Sequence, residues 1–152
     1  MKKMTKIFVV TSAVALLAAC GSSDKQVQVT QPETFGGHTV QELQQSYNTV
    51  YFGFDRYDVD EQYVPLLDAQ ASYLIATPTK NVIIQGYTDE RGTPEYNIAL
   101  GQRRADAVEK FLEARGVTPT QLSTISYGEE KPAVLGHTEA AYAKNRRAVL
   151  AY

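Results

Sequence analysis

The distribution of apolar and polar positions predicts alternating strands and helices, most clearly in residues 82–116. Residues 82–84 are three β-branched residues in succession, which is typical of a buried strand. A helix is then predicted to begin after Thr93, a favourable N-cap followed by proline, and to end before Gly116. At 100° per residue, its large apolar residues fall on one face. These residues are Leu100, Ala107, Val108, Phe111 and Leu112.

Similar patterns on either side of this segment complete the order of elements. The pattern predicts a short helix after Thr39, a strand over 48–54, a helix from Asp60 to about Ala76, a strand over 122–127, a short helix after Thr138 and a last strand over 146–152. This order indicates an α+β domain, with a mixed sheet of about four strands and helices packed on one face. The connections after the first two strands are long enough for right-handed crossovers, so each is expected to lie parallel beside the next.

Two polar residues, Asn97 and Arg104, interrupt the apolar face of the long helix. An arginine in such a position cannot lose its charge and therefore needs an anion. The nearest candidate in sequence is Asp89, at the end of the preceding strand, where open α/β sheets usually place ligands.

Two interpretations of these residues are open. In the first, Asp89 and Arg104 form an internal ion pair and Asn97 satisfies a loop carbonyl, since structural pairs outnumber functional ones. In the second, the two charges stand apart at the mouth of a crevice. Asp89 then takes an ammonium group and Arg104 a carboxylate, helped by helix amides near Thr93. The head group of an α-amino acid has this arrangement of charges.

The N-terminal region differs in composition from the rest. Residues 1–19 combine a basic start with an apolar segment that is too short to span a membrane permanently, which predicts a secretory signal. Cys20 follows directly and is the only cysteine, so no intramolecular disulfide is possible. Residues 21–33 contain no aromatic residue or leucine. We therefore predict a flexible tether over residues 20–34 and one domain over residues 35–152.

The charge balance argues against nucleic acid as a partner. The whole chain has 15 basic and 17 acidic residues, and removal of the three lysines in residues 1–19 leaves 12 and 17, a formal charge of −5. No basic stripe runs beside aromatic residues, as nucleic-acid binding would require.

The segment from Thr88 to Val108, T-D-E-R-G-T-P-E-Y-N-I-A-L-G-Q-R-R-A-D-A-V, resembles the signature of OmpA-like peptidoglycan-binding domains. It is close to the version found in the Pal group of lipoproteins within that family. The resemblance implies a site of Thr88, Asp89, Asn97 and Arg104. In such a site Asp89 and Arg104 hold the amino and carboxyl groups of meso-diaminopimelate in a peptidoglycan stem peptide, without cleaving it.

The resemblance also extends to positions outside this segment. It implies that Phe54 and Asp55, in the loop after the first strand, contact the peptide, although core packing and a turn cap are equally good roles for them. The N-R-R sequence of residues 145–147 resembles the motif that closes these domains, with Arg146 as the first choice for a pocket residue. Tyr87 stands where many members carry His or Asn, so the pocket rim is expected to differ.

The sequence L-A-A-C ending at Cys20 resembles the lipobox of bacterial lipoproteins. This resemblance implies cleavage before Cys20 and acylation of its sulfur and amino group. Gly21 at the next position resembles the pattern for sorting to the outer membrane of a Gram-negative cell, with the domain in the periplasm. Resemblance to the Pal group further implies membership of the Tol-Pal system, binding to TolB and to other Tol proteins, and a role in cell division.

Catalysis is the minor hypothesis. His38 and His137 are single and distant from each other, and the sequence contains no metal-ligand cluster or phosphate loop. Asp89 beside Glu90 could suggest a glycosidase, but Arg104 would keep Asp89 ionised and unfit as an acid. We therefore predict a binding protein without a metal or cofactor. The alternatives are a peptidoglycan hydrolase and a structural lipoprotein without a specific pocket.

Overall fold

The computed structural model of the chain describes residues 32–152, so the predicted signal, Cys20 and tether residues 21–31 lie outside the described part. Its strands are β1 (Thr34–Phe35), β2 (His38–Thr39), β3 (Thr49–Tyr51), β4 (Val82–Tyr87), β5 (Leu122–Gly128) and β6 (Arg147–Ala151). Its α-helices are α1 (Val40–Gln45), α2 (Val64–Ala76), α3 (Pro94–Ala114) and α4 (Glu139–Asn145), with 3₁₀ turns at Glu61–Tyr63 and Pro119–Gln121. None of the helices in this part is long and apolar enough to cross a membrane.

The main sheet has four strands in the order β3-β6-β4-β5, and β1 and β2 form a separate hairpin. Strands β4 and β5 are parallel neighbours, as predicted. The expectation that β3 lies beside β4 is wrong, because β6 pairs antiparallel with both and separates them. A long connection determines that β3 and β4 run in the same direction, but it leaves room for another strand between them.

The hydrophobic core lies between the sheet and helices α2 and α3. Leu67, Leu74, Val108 and Leu112 of the helices are fully buried together with sheet residues such as Ile84. On β4 and β5, Ile83 and Ile125 point away from this core and are exposed. The helices therefore pack on one face of a mixed sheet, as the sequence pattern predicted.

Side-chain caps place the helix starts where the sequence predicted them. The hydroxyl of Thr93 accepts a hydrogen bond from the Tyr96 amide, and that of Thr138 accepts one from the Ala141 amide. Thr39 forms a reciprocal capping box with Glu42. Each cap satisfies an amide in the first turn that has no partner within the helix.

Two glycines allow α3 to lie directly against β4. A Cβ atom added at Gly86 would be 1.8 Å from the carbonyl oxygen of Gly101. A Cβ atom added at Gly101 would be 2.3 Å from the hydroxyl of Ser126. This contact between backbones holds Asn97 and Arg104 of α3 over the carboxyl end of β4.

We expect Gly86→Ala to lower the free energy of unfolding by at least about 2 kcal/mol, because the added methyl group must push α3 away from β4. Urea titration of both proteins, followed by circular dichroism, measures the difference. Ser123→Ala changes an exposed position on the neighbouring strand and is the control. Equal stability of Gly86→Ala and wild type would show that the close contact does not constrain the fold.

Candidate ligand-binding site

A pocket of about 200 Å³ opens at the carboxyl end of β4, where the loops after β3 and β4 meet the first residues of α3. The structure brings together in it all seven site residues predicted from the sequence: Phe54, Asp55, Thr88, Asp89, Asn97, Arg104 and Arg146. Four further residues complete the lining, namely Arg91, Gly92, Tyr96 and Leu100. The predicted residues come from four separate segments, so it is the fold that makes them neighbours.

Arg104 is fully buried against the wall of this pocket. Its Nε donates to the carbonyl of Arg56 at 2.8 Å, and its two terminal nitrogens donate to the carbonyls of Tyr87 at 2.7 Å and Gly53 at 3.1 Å. None of the ion pairs within residues 32–152 involves Arg104. The predicted internal pair between Asp89 and Arg104 is therefore wrong.

The second interpretation also needs correction at Arg104. The guanidinium does not stand free at the mouth of a crevice, because the loop after β3 folds over it and supplies carbonyl oxygens. Burial lowers the pKa of Arg104 to about 10, so the side chain stays charged at neutral pH. Each terminal nitrogen has two hydrogens, and one on each remains unused. Arg104 is thus a buried cation that no carboxylate among residues 32–152 neutralises by direct contact.

Asp89 lies two residues after Tyr87, the last residue of β4, and is 4% exposed. One carboxylate oxygen accepts hydrogen bonds from the amide and Nε of Arg91, both at 3.1 Å. The other accepts from Arg91 at 2.6 Å and from Arg146 at 3.2 Å. Burial alone would raise the pKa of Asp89, but the hydrogen bonds from Arg91 and Arg146 outweigh it and hold this pKa below its usual value. Asp89 is therefore an anion that two internal cations neutralise.

Thr88 and Asn97 contribute buried polar atoms that lack partners. The hydroxyl of Thr88 and the amide oxygen of Asn97 have no hydrogen-bond partner among the described residues. The Asn97 amide nitrogen donates to the carboxylate of Glu129, so the predicted bond to a loop carbonyl is not formed. An unpaired buried polar group costs about 1–3 kcal/mol, and two such groups in one pocket mark a place where a ligand could supply the missing partners.

The loop after β3 forms one side of the pocket. Phe54 is 59% exposed, so its alternative role in core packing is wrong. Its ring lies 4.2 Å from the guanidinium carbon of Arg91. Asp55 has a φ of 56°, a conformation that is uncommon outside glycine, and accepts a hydrogen bond from the Tyr96 hydroxyl, which joins the loop to α3.

Arg146 and Arg147 point in different directions, as predicted. Arg146 is the residue between α4 and β6, and it donates to the Phe52 carbonyl at 3.0 Å as well as to Asp89. Arg147 stacks 3.8 Å from the ring of Tyr87. Since Gly86 faces α3, the next residue, Tyr87, points to the opposite face of the sheet. The expectation that Tyr87 alters the pocket rim is therefore wrong, because only its carbonyl reaches the site.

Sequence reasoning missed two polar lining residues, Arg91 and Tyr96. The spacing of Asp89 and Arg91 was available as a clue, because a side chain two residues after a carboxylate in a loop can fold back onto it. Tyr96 adjoins Asn97 in the first turn of α3, but no periodicity distinguishes it from a solvated residue.

The described residues offer a binding site without obvious catalytic groups. Among residues 32–152, no group of three or more His, Cys, Asp and Glu side chains is placed to hold a metal ion. Glu90 accepts a hydrogen bond from the Tyr142 hydroxyl at 2.7 Å and lies outside the pocket lining. Together, an ionised Asp89, a buried Arg104 and unpaired oxygens could hold a small molecule with both an amino and a carboxyl group.

The sequence model of the OmpA family matches residues 51–146. The chain belongs to the OmpA family. It is 66% identical over its full length to the full-length peptidoglycan-associated lipoprotein of Pasteurella multocida. It is 62% identical over its full length to the full-length protein of that name from Haemophilus influenzae. The resemblance predicted from residues 88–108 is thereby confirmed.

Solved structures agree with this family assignment. The crystal structure of the peptidoglycan-associated lipoprotein from Burkholderia pseudomallei matches with a TM-score of 0.69 and 53% identity, over 69% of this chain and 89% of that one. The C-terminal domain of MotB from Helicobacter pylori matches with a TM-score of 0.60 at 23% identity, over 68% of this chain and 81% of that one, which shows a shared fold alone. Membership of the OmpA family indicates a structural protein and not an enzyme.

We expect the charge of Asp89 to stabilise the fold at neutral pH and this contribution to disappear in acid. Because the pKa of Asp89 is lower in the folded than in the unfolded state, the contribution is present above the unfolded pKa of about 3.9 and is lost as pH falls through the folded pKa. Wild type should therefore lose more unfolding free energy than Asp89→Asn between about pH 5 and pH 2.

Urea titrations at a series of pH values measure this difference. Asp68→Asn is the control, because Asp68 forms an exposed ion pair with Arg115 that should contribute little. Parallel acid profiles for wild type and Asp89→Asn would contradict the internal neutralisation of Asp89.

Proposed function

We propose that the chain is an outer-membrane lipoprotein whose domain binds meso-diaminopimelate in peptidoglycan stem peptides, without cleaving them, and so tethers the membrane to the cell wall. The observation that carries this proposal is the incompleteness of the pocket. Arg104 is a buried cation without a carboxylate in contact, and it lies in the same pocket as two unpaired oxygens. A ligand that brings an anion and hydrogen-bond donors would complete all three.

The free end of the diaminopimelate side chain carries both groups, an ammonium and a carboxylate. The carboxylate would take the unused hydrogens of Arg104, near the positive end of α3. The ammonium would lie against the carboxylate of Asp89 and donate to the amide oxygen of Asn97. The methylene chain of the ligand would pack on the exposed ring of Phe54, while Arg146 and Asp55 hold the surrounding loops in place.

Attachment to the membrane follows from the N-terminal sequence. We propose that the signal is removed before Cys20 and that acyl chains on this residue anchor the protein, with residues 21–33 as the tether. Several acyl chains, at about 0.8 kcal/mol per buried methylene group, hold a protein stably to a bilayer. The anchor confines the domain to a thin layer beside the wall, so a moderate affinity for each stem peptide suffices.

The proposal extends to the Tol-Pal system. Similarity to peptidoglycan-associated lipoproteins over the whole chain supports membership of this system, with TolB as the first partner, in envelope integrity and in invagination of the outer membrane at division.

The decisive experiment is a calorimetric titration of the mature chain, residues 20–152 with Cys20→Ala to avoid lipid, with two stem tripeptides. One tripeptide carries meso-diaminopimelate and the other carries lysine, which lacks the second carboxylate. We expect saturable binding of the first and at least about tenfold weaker binding of the second, because only the first pairs with Arg104. Equal binding would indicate a structural lipoprotein without a specific pocket, and release of smaller fragments would indicate a hydrolase.

Thr88→Val separates binding from stability. This change removes an unpaired buried hydroxyl while keeping the side-chain shape, so we expect the free energy of unfolding to stay the same or rise by up to about 1 kcal/mol. Affinity for the diaminopimelate tripeptide should fall about tenfold, because the ligand loses a hydrogen-bond partner. Thr49→Val, at a strand position outside the pocket, is the matched control. Unchanged affinity in Thr88→Val would remove this hydroxyl from the site.

Cys20→Ala in the full chain tests the anchor. We expect the variant to leave the outer-membrane fraction and appear in the soluble periplasmic fraction after cell fractionation, since no acyl chain can then be attached. The wild-type chain in the same cells gives the reference distribution. Continued sedimentation of the variant with membranes, even after the wall has been digested, would contradict lipid anchoring at this residue.

A further inference from the structure

The carboxylate of Asp89 is already saturated before any ligand binds. It accepts four hydrogen bonds, three from Arg91 and one from Arg146. An ionised carboxylate offers about four acceptor positions, so each position is used. A ligand ammonium can therefore reach Asp89 only when one of the internal donors leaves.

The surroundings decide which donor leaves. The Arg146 side chain is 8% exposed and is also held by the carbonyl of Phe52 and by Glu139 at 2.8 Å. The Arg91 side chain is 35% exposed and is followed by Gly92, whose φ of 115° is open to glycine alone. Arg91 belongs to the loop between β4 and α3, whereas Arg146 joins a helix to the central strand β6. Arg91 is thus the cation that can be displaced at lower cost.

Arg91 contacts a second carboxylate and two aromatic rings in addition to Asp89. Its other terminal nitrogen lies 3.2 Å from Glu139, whose side chain is 64% exposed. Its guanidinium is flanked by the rings of Phe54 at 4.2 Å and Tyr142 at 4.5 Å. A rotation of the side chain would break its two bonds to Asp89 and leave the bond from the Arg91 amide, while Glu139 and the rings would remain nearby as partners for the guanidinium.

We infer that Arg91 is a displaceable internal cation that occupies the ammonium position on Asp89 until a ligand with its own ammonium group replaces it. The inference rests on the proposed function, because it assigns the ammonium of the stem peptide to Asp89. Exchange of one cation for another costs little electrostatic energy, whereas removal of Arg91 by a ligand without a cation would leave Asp89 with Arg146 alone. Arg91 therefore lowers the affinity of the site for a ligand whose ammonium group must displace it from Asp89.

The test compares wild type and Arg91→Ala with two ligands, in the mature chain with Cys20→Ala. One ligand is the diaminopimelate tripeptide, and the other is the same tripeptide acetylated on its free amino group. We expect Arg91→Ala to bind the free-amine tripeptide about tenfold more tightly than wild type, because no internal cation must be displaced. The acetylated tripeptide should show no such gain, since it cannot replace Arg91 at Asp89.

Arg115→Ala is the matched control. Arg115 also pairs with a carboxylate, Asp68, and stacks 4.6 Å from an aromatic ring, Phe111, but it lies outside the pocket. The Arg115→Ala substitution removes the same charge and should leave the affinities for both tripeptides unchanged. Arg91→Lys keeps the charge without the forked geometry, so its affinity should lie between those of wild type and Arg91→Ala. Thermal unfolding of each variant establishes that it is folded.

The outcomes separate this inference from the proposed function. Unchanged or weaker binding of the free-amine tripeptide by a folded Arg91→Ala would overturn the inference while wild-type binding still supports the proposed function. An equal gain for both tripeptides would also overturn it, because Arg91 would then obstruct the pocket without regard to the amine. Binding by Arg91→Ala alone would overturn the inference, because Arg91 would then block the site in the wild type and would not be displaced by the ligand. Absence of binding by all the proteins would overturn both.

Discussion

The structure of this site depends on one buried guanidinium, that of Arg104. Its three nitrogens connect α3 to the carbonyls of two different segments, the end of β4 and the loop after β3. A neutral side chain could not donate to all three carbonyls. An arginine already paired with a carboxylate would attract an anionic ligand less strongly. The loop is thus held in place by a charge that carbonyl dipoles stabilise only in part. The same charge is the group to which the proposed ligand carboxylate would bind.

The charges around Arg104 form a nearly balanced group. Arg91 and Arg146 lie between the carboxylates of Asp89 and Glu139, and each arginine contacts both acids. Such a network exchanges partners at lower cost than an isolated pair, because every charge keeps one neighbour when it loses another. A zwitterion adds one charge of each sign and therefore preserves the balance. A singly charged ligand would disturb it, which favours the recognition of amino acid head groups by electrostatics before shape is considered.

Much of this arrangement could be predicted from local sequence. The caps at Thr39, Thr93 and Thr138 depend on short-range hydrogen bonds, and the burial of Asn97 and Arg104 follows from helical periodicity. The position of β6 between β3 and β4 could not be predicted, because strand order depends on packing between distant segments. The partners of Arg104 were missed for a related reason. They are backbone carbonyls, which every residue carries, so no residue type in the sequence predicts which carbonyls Arg104 contacts.

The central position of β6 has a further consequence for truncated forms of the chain. Because β3 pairs with β6 and not with β4, no backbone hydrogen bonds join β3 directly to the β4-β5 pair. A chain that stopped before Arg147 would lack the strand that joins them. Without β6, strand β3 would have no partner in the main sheet, and the four-stranded sheet could not form.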